Sequence, residues 1–530
     1  MTDRATSAWL IGLCAALGLL AWSNRFVQDD AYILFRYADH LAHGEGFVWN
    51  AGERVEGYSS FLYTVLLAGI RRLGFDPITT SHALGLATFV GSLLATFHAA
   101  RLTFVSAAGG LLTMALLGAN YTFSIFATGG LETSLHAFLV CTGLALLARG
   151  QARGWSAPLP WLMSILLGLL MLTRPDSAIP CAVFVGVTLW RMRARSAWRE
   201  YAQLFGPAAA MLVLWLTWKL VYYGDVLPNT YHVKVASSTS LGYGLRYLYL
   251  FFVSYWLLPM AVLTAAMLPR ILRERRDTLV AALLFTALWV PYVTRVGGDF
   301  MEFRFMVPLL PALTLLIVAT IRAVSPAPMV RAGLVTIVLA GSANHAVGYG
   351  LAPGGPRPES RDDLHAHLTS PEQNWIGIGR ALRQAAGEDR TLTIAVAPAG
   401  AIPYHSELPS IDMLGLSDRW VARNGDILGS WPGHQRVAPY WYLERRGVHL
   451  IIGHPVLRSM SQPRADLYPY QYFRALALPT SRSETVPAAA RVVEMPVADG
   501  RYLPMLYVRP HPVVDRQVIR GAWRQVPLSR

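Results

Sequence analysis

From its start to about residue 347 the chain returns again and again to apolar runs. They lie near 9–22, 60–73, 82–100, 103–119, 131–148, 159–172, 177–190, 203–222, 246–268, 278–293, 304–323 and 330–347. A helix needs roughly 20 apolar residues to cross a bilayer, and several of these runs approach that length. Of the 530 residues 54% are hydrophobic and 15% charged, with a mean hydropathy of +0.37, and no soluble core of this size hides so many such segments. The expected class is a polytopic α-helical membrane protein with about 11 transmembrane helices, the shortest runs being tilted or broken pieces.

The net charge of +14 would suit nucleic acid, but its distribution excludes that partner. Arginines crowd the short loops at 191–199 and 270–276 and recur at Arg322 and Arg331, the positive-inside pattern of cytoplasmic loops. Counting spans from these loops sends 222–234, 295–304 and 172–177 to the opposite side. Between 60 and 148 the parity fails, so one of the three runs before residue 129 is not a full span. Cys14, Cys141 and Cys181 all fall in apolar runs, and the polar tail offers neither a disulfide framework nor a zinc cluster. The first run reads as an uncleaved anchor in preference to a signal peptide.

After residue 348 the composition changes. A Pro/Gly-rich, charged boundary at 352–363 is followed by strand-like TLTIAVA, SIDMLGL and VHLIIGHP, alternating with helix-like runs such as PEQNWIGIGRALRQAAGE. The expected division is a membrane domain at 1–347 and a periplasmic α/β domain at 348–530. No internal repeat stands out, which weighs against an inverted-repeat transporter.

Asp29 and Asp30 stand where the first run leaves the bilayer, at the head of the first outer loop (25–60). Ala31, Leu34, Phe35, Ala38, Leu41 and Ala42 recur at helical spacing with Arg36, Asp39, His40 and His43 opposite, an amphipathic helix expected to lie on the membrane surface. Two adjacent carboxylates suit a divalent cation (Mg, Mn or Ca) that neutralises a leaving phosphate, or a general base that takes a proton from an attacking hydroxyl. A third reading has them only capping the helix. The same outer face gathers Glu56 and Tyr58; Arg174 and Asp176 in LTRPDS; Asn229, His232 and Lys234 in LPNTYHVK; and Asp299 and Arg304 in GGDFMEFR, with Glu132 in TGGLETS joining them if that motif lies outside and capping a helix if it does not. Arg174, Lys234 and Arg304 are candidates for a phosphate, which cations hold by charge-assisted hydrogen bonds; their bland role is pairing with nearby acids or anchoring span ends. The others are candidate substrate contacts, and so are Tyr404 and Asp412 in the tail motif AGAIPYHSELPSIDMLGLSD, whose alternative role is to tie strand ends.

These blocks, with DDAYILFRYADHLAHGEGFVWNAGERVEGYSSFL the most distinctive, appear in the order found in one family. The chain resembles the GT-C-fold membrane glycosyltransferases similar to the mycobacterial terminal β-(1→2) arabinofuranosyltransferase. The resemblance implies a multi-pass inner-membrane enzyme with its site on the periplasmic side and Asp29 and Asp30 near the reacting centre. It would move a sugar such as arabinofuranose from a polyprenyl-phosphate donor to a glycan or glycosylated acceptor, with inversion the favoured outcome. No nucleotide-binding glycine loop follows a strand, so a nucleotide-sugar donor is disfavoured. A secondary transporter and a non-catalytic assembly protein of envelope polysaccharide are the rival classes.

Overall fold

The computed structural model describes residues 3–193, 197–234, 241–349, 357–428, 434–459, 468–469, 489–498, 500–526 and 528–529. Through Gly348 it is helical: α1 (Asp3–Ser23), α2 (Asp29–Ala42), α3 (Phe61–Arg72), α4 (Pro77–Phe104), α5 (Ala107–Gly118), α6 (Tyr121–Ile125), α7 (Thr133–Arg153) and α8 (Leu159–Thr173). There follow α9 (Ala178–Met192), α10 (Trp198–Tyr223), α11 (Asn229–Lys234), α12 (Leu241–Ser254), α13 (Leu258–Arg273), α14 (Asp277–Val296), α15 (Leu310–Val324) and α16 (Pro328–Gly348). Six of them (α1, α4, α7, α10, α14 and α16) are long and apolar enough to cross a membrane, and α5, α8 and α15 are shorter apolar helices. The molecule is a polytopic helical membrane protein.

The single span expected at 246–268 is broken. α12 and α13 meet at 94°, with Trp256 in the left-handed region (φ 55°) and a proline in the first turn of α13. A proline lacks the N–H that would continue the preceding helix and suits the first turn of a new one, so with Trp256 left-handed the chain restarts there.

Contacts sort the loops onto two ends of the bundle. At one end the Arg191 guanidinium pairs with Asp277 at 2.5 Å, Gln151 donates to the Arg275 carbonyl at 2.8 Å, and Arg270 donates to the Ala323 carbonyl at 3.1 Å. At the other end lie α2, the loops at 24–60, 119–132, 174–177, 224–229 and 297–306, and the tail. There Arg361 donates to Asn24 at 3.3 Å, and the Ser342 hydroxyl donates to the Ala119 carbonyl at 2.8 Å. α3 has only 12 residues, about 18 Å of helix. Arg71 in its last turn pairs with Asp39 of α2 at 2.5 Å, and Phe61 at its start packs on Trp218 of α10, 5.2 Å between centroids. The next helix begins at Asp76–Pro77, where the Asp76 carboxylate caps the Thr79 N–H at 2.8 Å, and nearby His82 meets the Phe26 carbonyl at 3.3 Å. Both ends of α3 therefore belong to the α2 end of the bundle.

The tail forms a mixed sheet in the order Arg524–Val526, Arg491–Ala498, Arg501–Tyr507, Leu450–Gly453, Ile394–Val396, Ser410–Asp412. The last three strands are parallel, and the hairpin at 491–507 joins them antiparallel through Leu450–Gly453. Helix Trp375–Ala386 packs against the hairpin strand Arg491–Ala498. One buried cluster runs unbroken from α2 (Ala31, Phe35, Tyr37) into the tail (Ala401, Ile402, Leu408).

At Arg36 the expected polar face of α2 is corrected by this arrangement, while Asp39 and His40 stay half-buried and His43 exposed. Residues Ala31 to Ala38 are all buried, Arg36 included, because the tail covers the side that does not face the bundle. The Arg36 Nε donates to the Trp49 carbonyl at 2.7 Å, and its other nitrogens reach the carbonyls of Pro403 and Leu408.

Candidate active site

Asp29 opens α2, where negative charge suits the positive end of the helix dipole, but its carboxylate serves another segment. Its Oδ2 accepts the Gly400 N–H at 3.1 Å and its Oδ1 the Ala401 N–H at 2.7 Å. Only glycine fits at 400, because a Cβ there would stand 1.9 Å from the Asp29 carbonyl oxygen. Burial pushes the Asp29 carboxyl up to about 7, the neighbouring charge of Asp30 adds to the rise, and the two N–H groups and His367 oppose it. His367 pairs with Glu359 at 3.2 Å and stacks on Trp375 at 4.7 Å, while the Glu359 N–H donates to the Phe300 carbonyl at 2.6 Å. The tail thus links the acidic pair to the loop that carries Asp299 and Arg304.

That loop meets two others. Gly130 takes a positive φ of 82° and packs so closely that a Cβ would come 2.6 Å from the Ala31 methyl, which brings the Glu132 turn against the start of α2. Glu132 accepts from Arg174 Nη1 at 2.6 Å, Asp176 accepts from Arg174 Nη2 at 2.7 Å, and Asp299 accepts from Arg304 Nε at 2.6 Å. Both guanidinium carbons lie over the Phe305 ring, Arg174 at 5.5 Å and Arg304 at 5.7 Å. Arg174, Asp176 and Arg304 line one small cavity with His136, Trp289 and Phe305. The pairing read as the bland role of Arg174 and Arg304 is therefore present, and so is their convergence on one cavity. Arg174 has all three nitrogens engaged by carboxylates, since Nε also meets Asp176 at 2.9 Å.

The remaining expected contacts are turned inward. Glu56 is 4% exposed and paired with Lys219 Nζ at 2.9 Å, yet burial still lifts its carboxyl to about 7. Tyr58 is buried, stacked on Phe47 at 4.6 Å and 3.2 Å from the Tyr223 hydroxyl. The Asn229 amide donates to the carbonyls of Gly415 (2.8 Å), Leu416 (3.0 Å) and Asp418 (3.2 Å), a stitch between bundle and tail. Asp412 is 0% exposed and accepts from the N–H groups of Leu414, Gly415 and Ser417 at 2.7–3.1 Å, so it ties its own loop and faces no groove. Half-buried His232 meets Asp225 at 3.3 Å, and Tyr404 packs on Tyr32 at 5.4 Å. The Lys234 side chain lies outside the described residues.

Sequence reasoning missed Arg36, Lys219 and His367. Lys219 is a cation inside an otherwise apolar helical stretch, a costly placement that signals a partner elsewhere, whereas Arg36 reads in the sequence as one member of the polar face of α2. His367 sits in a tail helix with nothing local to mark it. For a divalent cation the donor set at the acidic pair is thin. Asp29 already accepts two main-chain N–H groups, and among the described residues no group of three or more His, Cys, Asp or Glu is placed to hold a metal.

A family model described as a domain of unknown function (DUF8728) matches residues 365–498. The terminal beta-(1->2)-arabinofuranosyltransferase of Mycobacterium tuberculosis is 28% identical over 344 residues, 56% of this chain and 53% of that protein. The protein of the same name from Corynebacterium glutamicum is 29% identical over 358 residues, 60% of this chain and 51% of that protein. The chain spans about half the length of the curated relatives it matches. Both carry the name to which the sequence resemblance points. The crystal structure of ArnT from Cupriavidus metallidurans bound to undecaprenyl phosphate superposes with a TM-score of 0.58 at 14% identity, covering 95% of this chain and 98% of that one. The two chains share a fold.

Proposed function

We propose that the chain is a GT-C membrane glycosyltransferase that moves a sugar, arabinofuranose in the first instance, from a polyprenyl-phosphate donor to a glycan or glycosylated acceptor of the cell envelope. The observation that carries this reading is the acidic pair. It is held at one end of a bundle that shares the ArnT fold, the end that also carries Arg174 and Arg304, in a chain similar to two terminal arabinofuranosyltransferases. ArnT is bound to undecaprenyl phosphate in its crystal structure, which supports a lipid-linked donor here as well.

In the chemistry that fits, a carboxylate of the pair takes the proton of the acceptor hydroxyl as that oxygen bonds to the anomeric carbon. The bond from that carbon to the phosphate oxygen breaks, and the polyprenyl phosphate leaves with the electron pair. We assign the base role to Asp30; its neighbour Asp29 is tied to the tail by two main-chain N–H groups. Arg304, engaged by Asp299 through Nε, is the first candidate to hold the leaving phosphate, ahead of Arg174. The donor set at the pair suits a base better than a cation cage.

For topology, we read α3 as the run that does not cross. α1, α4, α5, α7–α10, the α12–α13 pair and α14–α16 then give about 11 crossings. The arginine-rich end is cytoplasmic by the positive-inside rule, and the acidic pair and tail lie on the periplasmic side of the inner membrane.

Membranes carrying wild type, Asp29→Asn and Asp30→Asn are assayed for release of polyprenyl phosphate from a polyprenyl-phosphate arabinofuranose donor. Asp30→Asn is expected to insert normally and lose about a hundredfold or more in rate, without chelator sensitivity in the wild type. Wild-type turnover by Asp30→Asn would refute the base role, and inhibition by chelator would favour the metal reading.

A further inference from the structure

An open groove of about 500 Å³ lies between the outer loop and the tail. Loop residues Glu53 and Arg54 form one wall, and helix Arg419–Asn424 with Tyr442 and Arg446 forms the other. The volume falls within the roughly 300–1,000 Å³ of ligand sites. We propose that this groove is an acceptor subsite that binds a stretch of neutral oligosaccharide, a proposal that rests on the glycosyltransferase reading.

The groove has an aromatic floor. Trp420 stacks on Tyr442 at 4.2 Å and 15°, and Trp441 meets it edge-on at 5.0 Å, so the indole is held in place before any ligand arrives. Flat indole faces suit the C–H faces of sugar rings, and the surrounding guanidiniums and carboxylate supply donors and acceptors for hydroxyls. These polar groups are fixed too. Arg446 is clamped by Glu53 and by Asp418 at 3.0 Å, Arg423 pairs with Asp225 at 2.6 Å, and Arg419 donates to the carbonyls of Tyr223 and Arg54. Arg54 lies over the Tyr222 ring at 4.7 Å.

Charge selects the ligand class. Four arginines would form an anion trap if they stood alone, but Glu53, Asp225 and Asp418 compensate most of that charge. What remains is a preorganised, hydrogen-bonding, aromatic surface, which fits neutral sugar better than a phosphate or a polyanion. The lining includes neither Asp29, Asp30 nor the residues that hold Asp29, so a ligand in the groove sits apart from the reacting centre, as a further stretch of a chain acceptor would. One wall belongs to the tail region matched by the domain of unknown function, which gives that region a role in holding the acceptor.

The full-length protein in detergent is titrated with a linear neutral arabinofuranose oligosaccharide, with its disaccharide and with inorganic phosphate. Trp420→Ala and Arg54→Ala are expected to weaken oligosaccharide binding about tenfold, while Trp420→Phe, which keeps an aromatic face on Tyr442, retains most of it. In transfer assays the same two Ala variants should raise KM for the oligosaccharide about tenfold and leave kcat and the disaccharide KM unchanged. No oligosaccharide binding by the wild type, wild-type affinity in both Ala variants, or binding of phosphate alone would each overturn the proposal. Oligosaccharide binding lost in the Ala variants, in a protein that transfers no sugar, would support the groove and reject the glycosyltransferase reading.

Discussion

At Asp29 burial and two main-chain N–H donors pull in opposite directions, and the carboxyl ends at about 7 against an ordinary 3.8. A folded pKa above the unfolded one means that the folded protein holds a proton the unfolded chain has already released. Its contribution to stability is therefore fully present below about pH 4 and is lost as pH rises through about 7. Glu56 and Asp412 are raised to about 7 by burial as well and act with the same sign, so the informative quantity is a difference between proteins. In detergent the thermal midpoint of the wild type should fall from pH 5 to pH 8 by more than that of Asp29→Asn. A larger fall in the variant would show that burial does not control this carboxyl. The acids themselves were legible in the sequence, since two carboxylates heading an amphipathic run leave few readings. Their partners were not, because Gly400 and Ala401 lie far along the chain and hydrogen-bond through main-chain atoms, which carry no residue signature.

The helices show why apolar length alone misreads an element. α3 and α5 are both 12 residues, but α3 is the less apolar of the two and carries Arg71 and Arg72 in its last turn, where α5 has no charge. Arg71 pairs with Asp39 of α2, a tertiary contact that returns the end of α3 to the side on which it began. The break between α12 and α13 had a local signal in the proline of the first turn of α13, hidden because the flanking residues are apolar. In a background lacking Cys14, Cys141 and Cys181, single cysteines at Ser59 and Leu73 should both react with a membrane-impermeant maleimide added from the tail side. Reaction of the Leu73→Cys protein only after permeabilisation would make α3 a crossing helix and shift the parity of every later loop.

On the scale of the molecule, bundle and tail are joined through α2, and one buried cluster runs through both. The composition shift near 348 marked where helices give way to a sheet, because burial between helices and within a sheet calls for different residue patterns. Nothing in it showed that the tail is stitched back onto the first outer loop. A chain ending at Gly348 would strip Asp29 of its two N–H donors, Arg36 of the Pro403 and Leu408 carbonyls, and Asn229 of three carbonyl acceptors. It would also uncover the buried side of α2. A buried polar group left without a partner costs about 1–3 kcal/mol, more when charged, and whole-protein stabilities are only about 5–15 kcal/mol. The truncated protein is therefore expected to aggregate or be degraded, so its inactivity would say nothing about catalysis. Arg36→Gln in the full chain is the graded version of the same test. Gln keeps a donor but cannot reach every carbonyl, so the tail should become several-fold more sensitive to limited proteolysis while the bundle stays inserted. A truncated bundle that purifies as a monodisperse protein with the full-length melting temperature would show instead that the two parts fold independently and that the contacts through Arg36 and Asp29 only dock them.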